Sequence, residues 1–490
     1  MPHHLDMPPE EFRQAGHRLV DWIAEYLEDH GNAPVLSRAK PGDVRSALPS
    51  VPPERGDPMD RILDDFDRTI LPGVTHWNHP AFFAYFAISA SAPGILAELL
   101  SAALNQQAML WRTSPAATEL EEVTLGWLRQ LIGLPVAFEG VIYDTASIAT
   151  LHGLAAARQA ADPDVRTAGT SGRCDVPRLT VYCSNQAHSS VDKAVILLGL
   201  GHESLRRIRV DDGFSMDVEA LGAAIVRDRK DGCRPLAVVA TVGTTSTTSV
   251  DPVPAIATVC ERDGIWLHVD AAYAGVAAMV PGYEHTLAGC ERADSLVVNP
   301  HKWLFTPFDL SAFYCRRMDV VRAAFSLTPE YLRTPEGGAV RNLMDTGIQL
   351  GRRFRALKLW MILRYFGSDR IRSRLAEHMR LARRLSAWID DHPDFERLAP
   401  VPFSVVCFRA RPSSVDMDEA ALGALNARLL EAANATGEVF LSHTMLDGRY
   451  CIRLAIGHIR TTEVHVRRAW AILQEQLQSL LADQGGQSGV

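Results

Sequence analysis

The chain has 490 residues, of which 47% are hydrophobic and 22% are charged, and its formal net charge at pH 7 is −8. That length is enough for one large and one small domain, and the composition is typical of a soluble globular protein. The negative charge argues against nucleic acid or an anionic membrane as a partner, and no apolar run reaches the length of a membrane span.

The cysteines and the N-terminus indicate the compartment. Eight cysteines are scattered along the chain without a C-x-x-C pair, which is typical of reduced thiols and not of a disulfide framework or a zinc site. The first residues have no charged-then-apolar signal pattern. We therefore expect a cytoplasmic protein with no metal site.

The N-terminal part is predicted to be helical. An amphipathic helix is expected over 8–29, and packing against its own domain is the plainest cover for its apolar stripe. Residues 33–58 lack periodicity and predict an irregular connector, and a second helix is expected over 59–70. The aromatic block that follows, over 77–86, is dense for a loop, and anchoring in the core is its plainest interpretation.

The middle of the chain alternates short apolar runs with helical patterns, which predicts an α/β fold with a mostly parallel central sheet flanked by helices. The predicted strands are 179–184, 236–241, 265–270, 296–298 and 311–315. From about residue 367 the pattern changes to a smaller α+β unit. Its predicted elements are strands over 403–408, 438–441 and 450–455, a helix over 464–481, and a disordered tail over 484–490.

A carboxylate closes one of these strands, and an amine follows shortly after another. Asp270 closes one apolar run, and Lys302 follows another within Asn299-Pro300-His301-Lys302-Trp303. A lysine next to a buried strand can be held as a partly desolvated amine that forms a Schiff base with an aldehyde. Pyridoxal phosphate also needs a carboxylate that keeps its ring nitrogen protonated. Taken singly, Lys302 can equally be a surface lysine after a turn, and Asp270 a helix N-cap.

Other strand ends carry weaker signals. Thr145, Ala146 and Ser147 open a helix, where free amides and hydroxyls can bind phosphate, although such residues cap most helices. His188 follows the strand over 179–184, and a lone histidine is usually a satisfied polar group. Thr245 follows the strand over 236–241. Because parallel strands end at one edge of a sheet, we expect these residues to lie near Asp270 and Lys302.

The blocks around His268-Val269-Asp270-Ala271-Ala272-Tyr273 and around Lys302 resemble the group II pyridoxal-phosphate decarboxylases. Within that group the chain is most similar to the aromatic L-amino acid decarboxylases, from about Pro8 to about Gln478. The resemblance implies a fold-type I enzyme that releases carbon dioxide from an aromatic L-amino acid and forms the corresponding amine. It also implies a homodimer with the active site at the subunit interface.

The resemblance assigns roles to individual residues. It implies that Lys302 binds the cofactor, that His188 stacks on the cofactor ring, and that Tyr331 protonates the carbanion left by carbon dioxide. The cofactor-binding positions it implies are Thr145, Ala146, Ser147, His188, Thr245, Asp270, Asn299, His301 and Lys302.

The resemblance also implies a substrate pocket, and it changes the interpretation of the aromatic block from core to pocket wall. The positions implied for this pocket are Trp77, Tyr85, Phe86, Ile88, Met109 and Gly351. Ile88 and the segment around Met109 depart from the animal enzymes, and this leaves the choice of aromatic substrate open. Gly351 favours a bulky indole ring.

The implied domain boundaries are an N-terminal helical dimerisation segment over 1–85, a cofactor-binding domain over 86–366 and a small domain over 367–483. Three alternatives stay open. A decarboxylase for an acidic amino acid needs arginines at the pocket, and the aromatic block offers none. An aldehyde synthase usually has another residue where this chain has Tyr331, and a non-catalytic protein has no need of Lys302 and Asp270.

Overall fold

The computed structural model of the chain describes residues 6–28, 33–327, 330–332, 334–336 and 339–487. For Tyr331 and for residues 484–487 it describes the backbone only. None of the helices in these ranges is long and apolar enough to cross a membrane.

Helices occupy both ends of the chain and alternate with strands in its middle. The helices are α1 (Pro9–Glu28), α2 (Asp43–Ala47), α3 (Met59–Asp65), α4 (Ala92–Leu104), α5 (Pro115–Leu131), α6 (Ala146–Ala161), α7 (Val165–Ala168), α8 (Ser190–Leu197), α9 (Val218–Lys230), α10 (Val253–Asp263), α11 (Pro300–Trp303), α12 (Met318–Phe325), α13 (Ala356–Asp390), α14 (Glu419–Ala435) and α15 (Glu463–Gln487). The strands are β1 (Glu139–Tyr143), β2 (Leu179–Ser184), β3 (Leu205–Ile208), β4 (Arg234–Thr241), β5 (Trp266–Asp270), β6 (Ser295–Val298), β7 (Ser311–Cys315), β8 (Phe395–Arg397), β9 (Val405–Ala410), β10 (Ser442–Leu446) and β11 (Arg449–Ala455).

A seven-stranded sheet forms the large domain, in the order β1-β7-β6-β5-β4-β2-β3. The pairs from β3 across to β6 are parallel, whereas β7 is antiparallel to both of its neighbours. The prediction of an α/β fold with a mostly parallel sheet is therefore confirmed.

Both faces of this sheet are covered. Along β4, Val238 and Ala240 belong to one hydrophobic cluster with α9 and α10, and Ala237 and Val239 belong to another with α6 and α8. Alternate residues of a strand point to opposite faces, so helices lie on both sides. A sheet buried on both faces leaves the ends of its strands as the place where polar side chains meet a ligand.

The small domain has a four-stranded antiparallel sheet in the order β10-β11-β9-β8, with α14 and α15 packed beside it. The strand predicted over 438–441 is wrong. The strand begins at Ser442, and Phe440 forms only an isolated bridge to Phe82. This stretch has strand-like residues because it buries Val439 and Leu441 in the core, not because it joins the sheet.

The N-terminal segment is fixed to the small domain by the aromatic block. Phe82 and Phe83 are fully buried in the same cluster as β9 and β11. By contrast, α1 has no buried residue, and Phe12 on its surface is 63% exposed. The helix predicted over 59–70 is α-helical only to Asp65 and continues as a π-helical turn.

The long helix α13 includes Gly367, whose φ of 68° breaks the helical backbone, so the run consists of two helices. The break lies where the sequence pattern changes, at about residue 367. Glycine adopts such a left-handed conformation without steric cost. At the C-terminus, α15 continues to Gln487 and so includes most of the segment predicted as a disordered tail.

Candidate active site

The site lies where β5 and β6 end. These neighbouring strands are parallel, and Asp270, the last residue of β5, pairs in register with Val297 of β6. The chain then turns through Asn299 into the short helix α11, which carries Lys302. A carboxylate and an amine that are separated in the sequence are thus brought to one edge of the sheet.

Backbone and side-chain hydrogen bonds hold this turn. The N–H of Asn299 donates to the carbonyl of Ala272 over 3.0 Å, and the N–H of Lys302 donates to the carbonyl of Asn299 over 2.9 Å. The amide oxygen of Asn299 accepts a 2.6 Å bond from the hydroxyl of Ser311. Asn299 is 2% exposed, and these bonds hold the turn that carries Lys302.

The amine of Lys302 is in an environment that favours its neutral form. Burial lowers its pKa, Arg453 adds to the lowering, and Asp270 opposes it. Among the described residues, no carboxylate lies within ion-pair distance of its Nζ. Asp270 itself is 7% exposed, and its Oδ1 accepts the N–H of Ala272 over 3.1 Å.

His188 lies after the end of β2, next to the same charges. Its Nδ1 accepts the N–H of Ser190 over 3.1 Å, so the proton of the neutral ring resides on Nε2. Desolvation lowers the pKa of His188, with Lys302 adding to the effect and Asp270 opposing it. These electrostatic interactions link His188 to both members of the amine–carboxylate pair.

The N-terminus of α6 has unsatisfied backbone donors. Thr145 is its N-cap in an extended conformation, and the threonine side chain makes no capping hydrogen bond. Ala146 and Ser147 form the first turn of this 16-residue helix. Free N–H groups at the start of a helix are a suitable partner for a phosphate.

Thr245 lies in the loop that follows β4. The hydroxyls of its neighbours Thr244, Thr247 and Ser249 bond to one another within 3.2 Å, and they fix the loop. Thr245 itself is exposed at the end of this buried cluster. His301, in contrast, is held in the interior: its Nδ1 accepts the N–H of Leu310, and burial lowers its pKa to about 3.

A stack of aromatic rings lies beside Lys302. The Phe86 centroid is 5.2 Å from Lys302 Nζ and 3.9 Å from the ring of Tyr273. Tyr273 in turn stacks on Trp303 at 4.8 Å. Sequence reasoning named Phe86 but missed Tyr273 as part of this wall, although it follows Asp270 closely and is an aromatic residue among small ones.

The rest of the predicted substrate pocket is more dispersed. Trp77 stacks on Phe82 at 4.4 Å and on the exposed Tyr85 at 5.7 Å, and so it lies against the small-domain core. The contacts among described residues do not connect Ile88, Met109 or Gly351 to Lys302. Ile88 is half-buried.

Met109 instead lies near the turn that carries Tyr331. It packs with Leu110, Leu332 and Met344. The backbone of Tyr331 is part of the 3₁₀ turn Glu330–Leu332, but its side chain lies outside the described part of the chain. Gly351 has Gln107 as its neighbour, with Nε2 3.2 Å from the position of an added Cβ.

These residues fit pyridoxal phosphate. An amine, a carboxylate and an open helix N-terminus match its aldehyde, ring nitrogen and phosphate. In addition, the buried hydroxyls of Ser184 and Thr241, at the ends of β2 and β4, have no hydrogen-bond partner among the described residues. Unsatisfied buried polar groups at a strand edge are typical of a site that binds a ligand.

Residues 41–411 match the pyridoxal-dependent decarboxylase conserved domain. The chain therefore belongs to the pyridoxal-dependent decarboxylases, which are lyases with pyridoxal phosphate as cofactor.

Among similar proteins, Arabidopsis thaliana phenylacetaldehyde synthase is 41% identical over 97% of each chain. Arabidopsis thaliana tyrosine decarboxylase 2 is also 41% identical, over 96% of this chain and 87% of the relative. The crystal structure of Oryza sativa TDC with PLP and tryptamine superposes with a TM-score of 0.93 at 36% identity, over 97% and 99% of the two chains.

Proposed function

We propose that this protein decarboxylates an aromatic L-amino acid to the corresponding amine, with Lys302 as the residue that binds pyridoxal phosphate. The observation that carries this proposal is the aromatic wall beside the amine, with Phe86 5.2 Å from Lys302 Nζ and Tyr273 stacked behind it. Flat apolar rings favour a flat apolar side chain in the substrate.

When bound, pyridoxal phosphate supplies an electron sink for the carbon atom that loses carbon dioxide. Burial lowers the pKa of Lys302, which favours the neutral amine, the form that reacts with an aldehyde. Asp270 keeps a proton on the ring nitrogen by holding a negative charge beside it. The amides at the start of α6 and the hydroxyl of Thr145 bind the phosphate.

His188 and the aromatic wall orient the substrate. The Nε2–H of His188 is free to donate toward a carboxylate, because Nδ1 is occupied by Ser190. Phe86 and Tyr273 exclude water from one side of the reacting carbon. Holding the breaking bond in one orientation contributes several kcal/mol, and about 7–11 kcal/mol in well-held model systems.

Tyr331 donates the proton that completes the amine. This role distinguishes the proposed activity from that of an aldehyde synthase, which is the second candidate because phenylacetaldehyde synthases are among the similar proteins. The tyrosine favours protonation at carbon, so we assign amine formation to this chain.

The test is a carbon dioxide release assay on the purified protein with pyridoxal phosphate, across the standard amino acids and dopa. We expect release from tryptophan, tyrosine, phenylalanine or dopa, with one amine formed for each carbon dioxide. Release from glutamate alone would contradict the proposal, and aldehyde with ammonia in place of amine would support the synthase.

We also propose a cytoplasmic homodimer. All eight cysteines are free thiols, which is typical of a reducing compartment.

Exposed apolar side chains on α1 and α4, including Val20 and Leu99 at 48% and 54% exposure, offer a surface for a second copy. Sedimentation should give twice the chain mass of 53.9 kDa, and Leu99→Asp should shift the protein toward monomer. A monomeric parent would contradict the dimer.

A further inference from the structure

Arg453, on β11 of the small domain, joins three segments around Phe86. It is 3% exposed, and its Nε donates to the carbonyl of Ser246 over 3.0 Å. Its Nη1 donates to the carbonyl of Tyr85. The guanidinium carbon lies 4.6 Å from the centroid of the Phe86 ring. One side chain thus binds the loop after β4 and the aromatic block, and packs on the Phe86 ring that lies beside Lys302.

The charge of Arg453 is not compensated. Among the described residues, no carboxylate lies within ion-pair distance of it, and its buried Nη2 has no hydrogen-bond partner. Other buried arginines of the chain are paired: Arg352 bonds to Glu121 at 2.8 Å, and Arg409 bonds to Glu396 and Glu419 at 2.5 Å each. Burying an unpaired cation costs several kcal/mol, so this arrangement needs an explanation other than stability.

The neighbouring backbone shows what the guanidinium fixes. Tyr85 has a φ of 50°, a left-handed conformation that is uncommon for a bulky residue, and its carbonyl is the one that Arg453 binds. The next residue is Phe86. The contact therefore holds the turn that orients the Phe86 ring toward Lys302.

We propose that Arg453 is a positioning residue of the active site, which fixes the Tyr85–Phe86 turn and sets an uncompensated positive charge next to Lys302. The inference rests on the proposed function of Lys302. Arg453 does not contact the substrate, because its free nitrogen has no accessible surface. It acts through Phe86, by contact, and through Lys302, by charge.

The positive charge of Arg453 lowers the pKa of the Lys302 amine. The groups that act on the Lys302 amine are Asp270, which favours the protonated form, and Arg453, which disfavours it. His188 interacts with Asp270 and Lys302. A cation near a cation lowers its pKa. Arg453 therefore helps to keep the nitrogen of Lys302 unprotonated.

The experiment compares Arg453→Met and Arg453→Lys with the parent holoenzyme. The first measurement is the pH midpoint at which the visible absorption band of the bound cofactor changes, and the second is KM for the amino acid with the highest turnover. We expect Arg453→Met to raise the midpoint by about one pH unit and KM by about tenfold.

Arg453→Lys separates the two effects. Lysine keeps the charge but lacks the planar fork that binds two carbonyls, so we expect a midpoint near that of the parent and a raised KM. The matched control is Arg409→Met, another buried arginine in the same sheet, whose midpoint and KM should equal those of the parent.

An unchanged midpoint in Arg453→Met would overturn the role of the charge, and an unchanged KM in Arg453→Lys would overturn the role of the contacts. If Arg453→Met does not fold, KM of Arg453→Lys tests the role of the contacts, and the pH midpoint of Arg453→Gln tests the role of the charge. The midpoint needs only bound cofactor, so it remains measurable if no amino acid is decarboxylated. Failure of the proposed function is then seen separately, as a lack of carbon dioxide release from the parent.

Discussion

Lys358 is buried and Lys302 is half-buried, and the surroundings of the two amines differ. Lys358 is 1% exposed, bonds to Glu98 at 2.6 Å and donates to the carbonyls of Pro307 and Asp309. Lys302 has Asp270 near it but not in an ion pair. A paired ammonium holds structure together, whereas an unpaired amine is available for chemistry.

This contrast gives a matched pair of variants. Lys302→Ala should abolish carbon dioxide release and the covalent trapping of cofactor by borohydride, with the thermal unfolding midpoint of the apoprotein little changed. Lys358→Met should keep the trapping but lower the free energy of unfolding by about 1–3 kcal/mol, because the carbonyls of Pro307 and Asp309 lose their donor. Glu98 keeps its second partner, Arg353. Trapped cofactor in Lys302→Ala would contradict the assignment.

In the proposed function, Tyr331 determines the product and not the rate of carbon dioxide release. Without its hydroxyl the carbanion is not protonated by the enzyme and is open to other reactions. We expect Tyr331→Phe to lose amine and, with dissolved dioxygen as the oxidant and hydrogen peroxide as the co-product, to gain aldehyde plus ammonia, measured as the ratio of amine to aldehyde. Tyr365→Phe, which changes a tyrosine 66% exposed on α13, is the control and should leave the ratio unchanged. An unchanged ratio in Tyr331→Phe would remove its role as proton donor.

At the scale of elements, the turn that carries Tyr331 is anchored by the next residue. Leu332 is 4% exposed and packs with Leu110, Met344 and Met109. This cluster is small and separate from the main cores, so its loss affects the turn more than the fold.

We therefore expect Leu332→Ala to loosen the turn, with a cost of about 2–3 kcal/mol that is confined to it. The aldehyde fraction should rise, and limited proteolysis between residues 327 and 342 should become faster, while the overall unfolding midpoint stays close to that of the parent. A proteolysis rate equal to that of the parent would show that the cluster does not anchor the turn.

The elements that sequence could predict are those with a strong local signal. Asp270 and Lys302 follow apolar runs, so both the strands and their polar ends were predictable. The strand over 438–441 was mispredicted because its apolar residues enter the core outside the sheet. Arg453 gave no signal, since its partners Tyr85 and Ser246 are distant in the sequence. Such contacts arise only when the small domain packs against the large one.

At the scale of the whole molecule, several histidines are buried in neutral form. Burial lowers the pKa of His152 and His301 to about 3 and that of His268 to about 4. In the unfolded chain a histidine titrates near about 6.5. Below that pH the unfolded state binds protons that the folded state does not, so stability falls as the pH decreases.

We expect these groups to leave the free energy of unfolding unchanged above pH about 6.5 and to lower it steadily from there to about pH 4, by up to about 1.4 kcal/mol per pH unit for each histidine. The thermal unfolding midpoint should fall over the same pH range. His152→Gln should make the fall shallower, while His17→Gln, a change at an exposed position, should not. A midpoint that is constant from pH 7.5 to pH 5 would contradict this account.

The ring stack that connects the site to the small domain has an optical consequence. Trp303 is fully buried next to Lys302, and its indole N–H donates to His378 Nδ1 over 3.0 Å. An indole fixed so close to a chromophoric cofactor should transfer its excitation to it. Loading the apoprotein with cofactor should therefore quench the intrinsic fluorescence, and Trp303→Phe should remove most of that quenching. The fraction of protein with bound cofactor could then be measured from tryptophan fluorescence without a label.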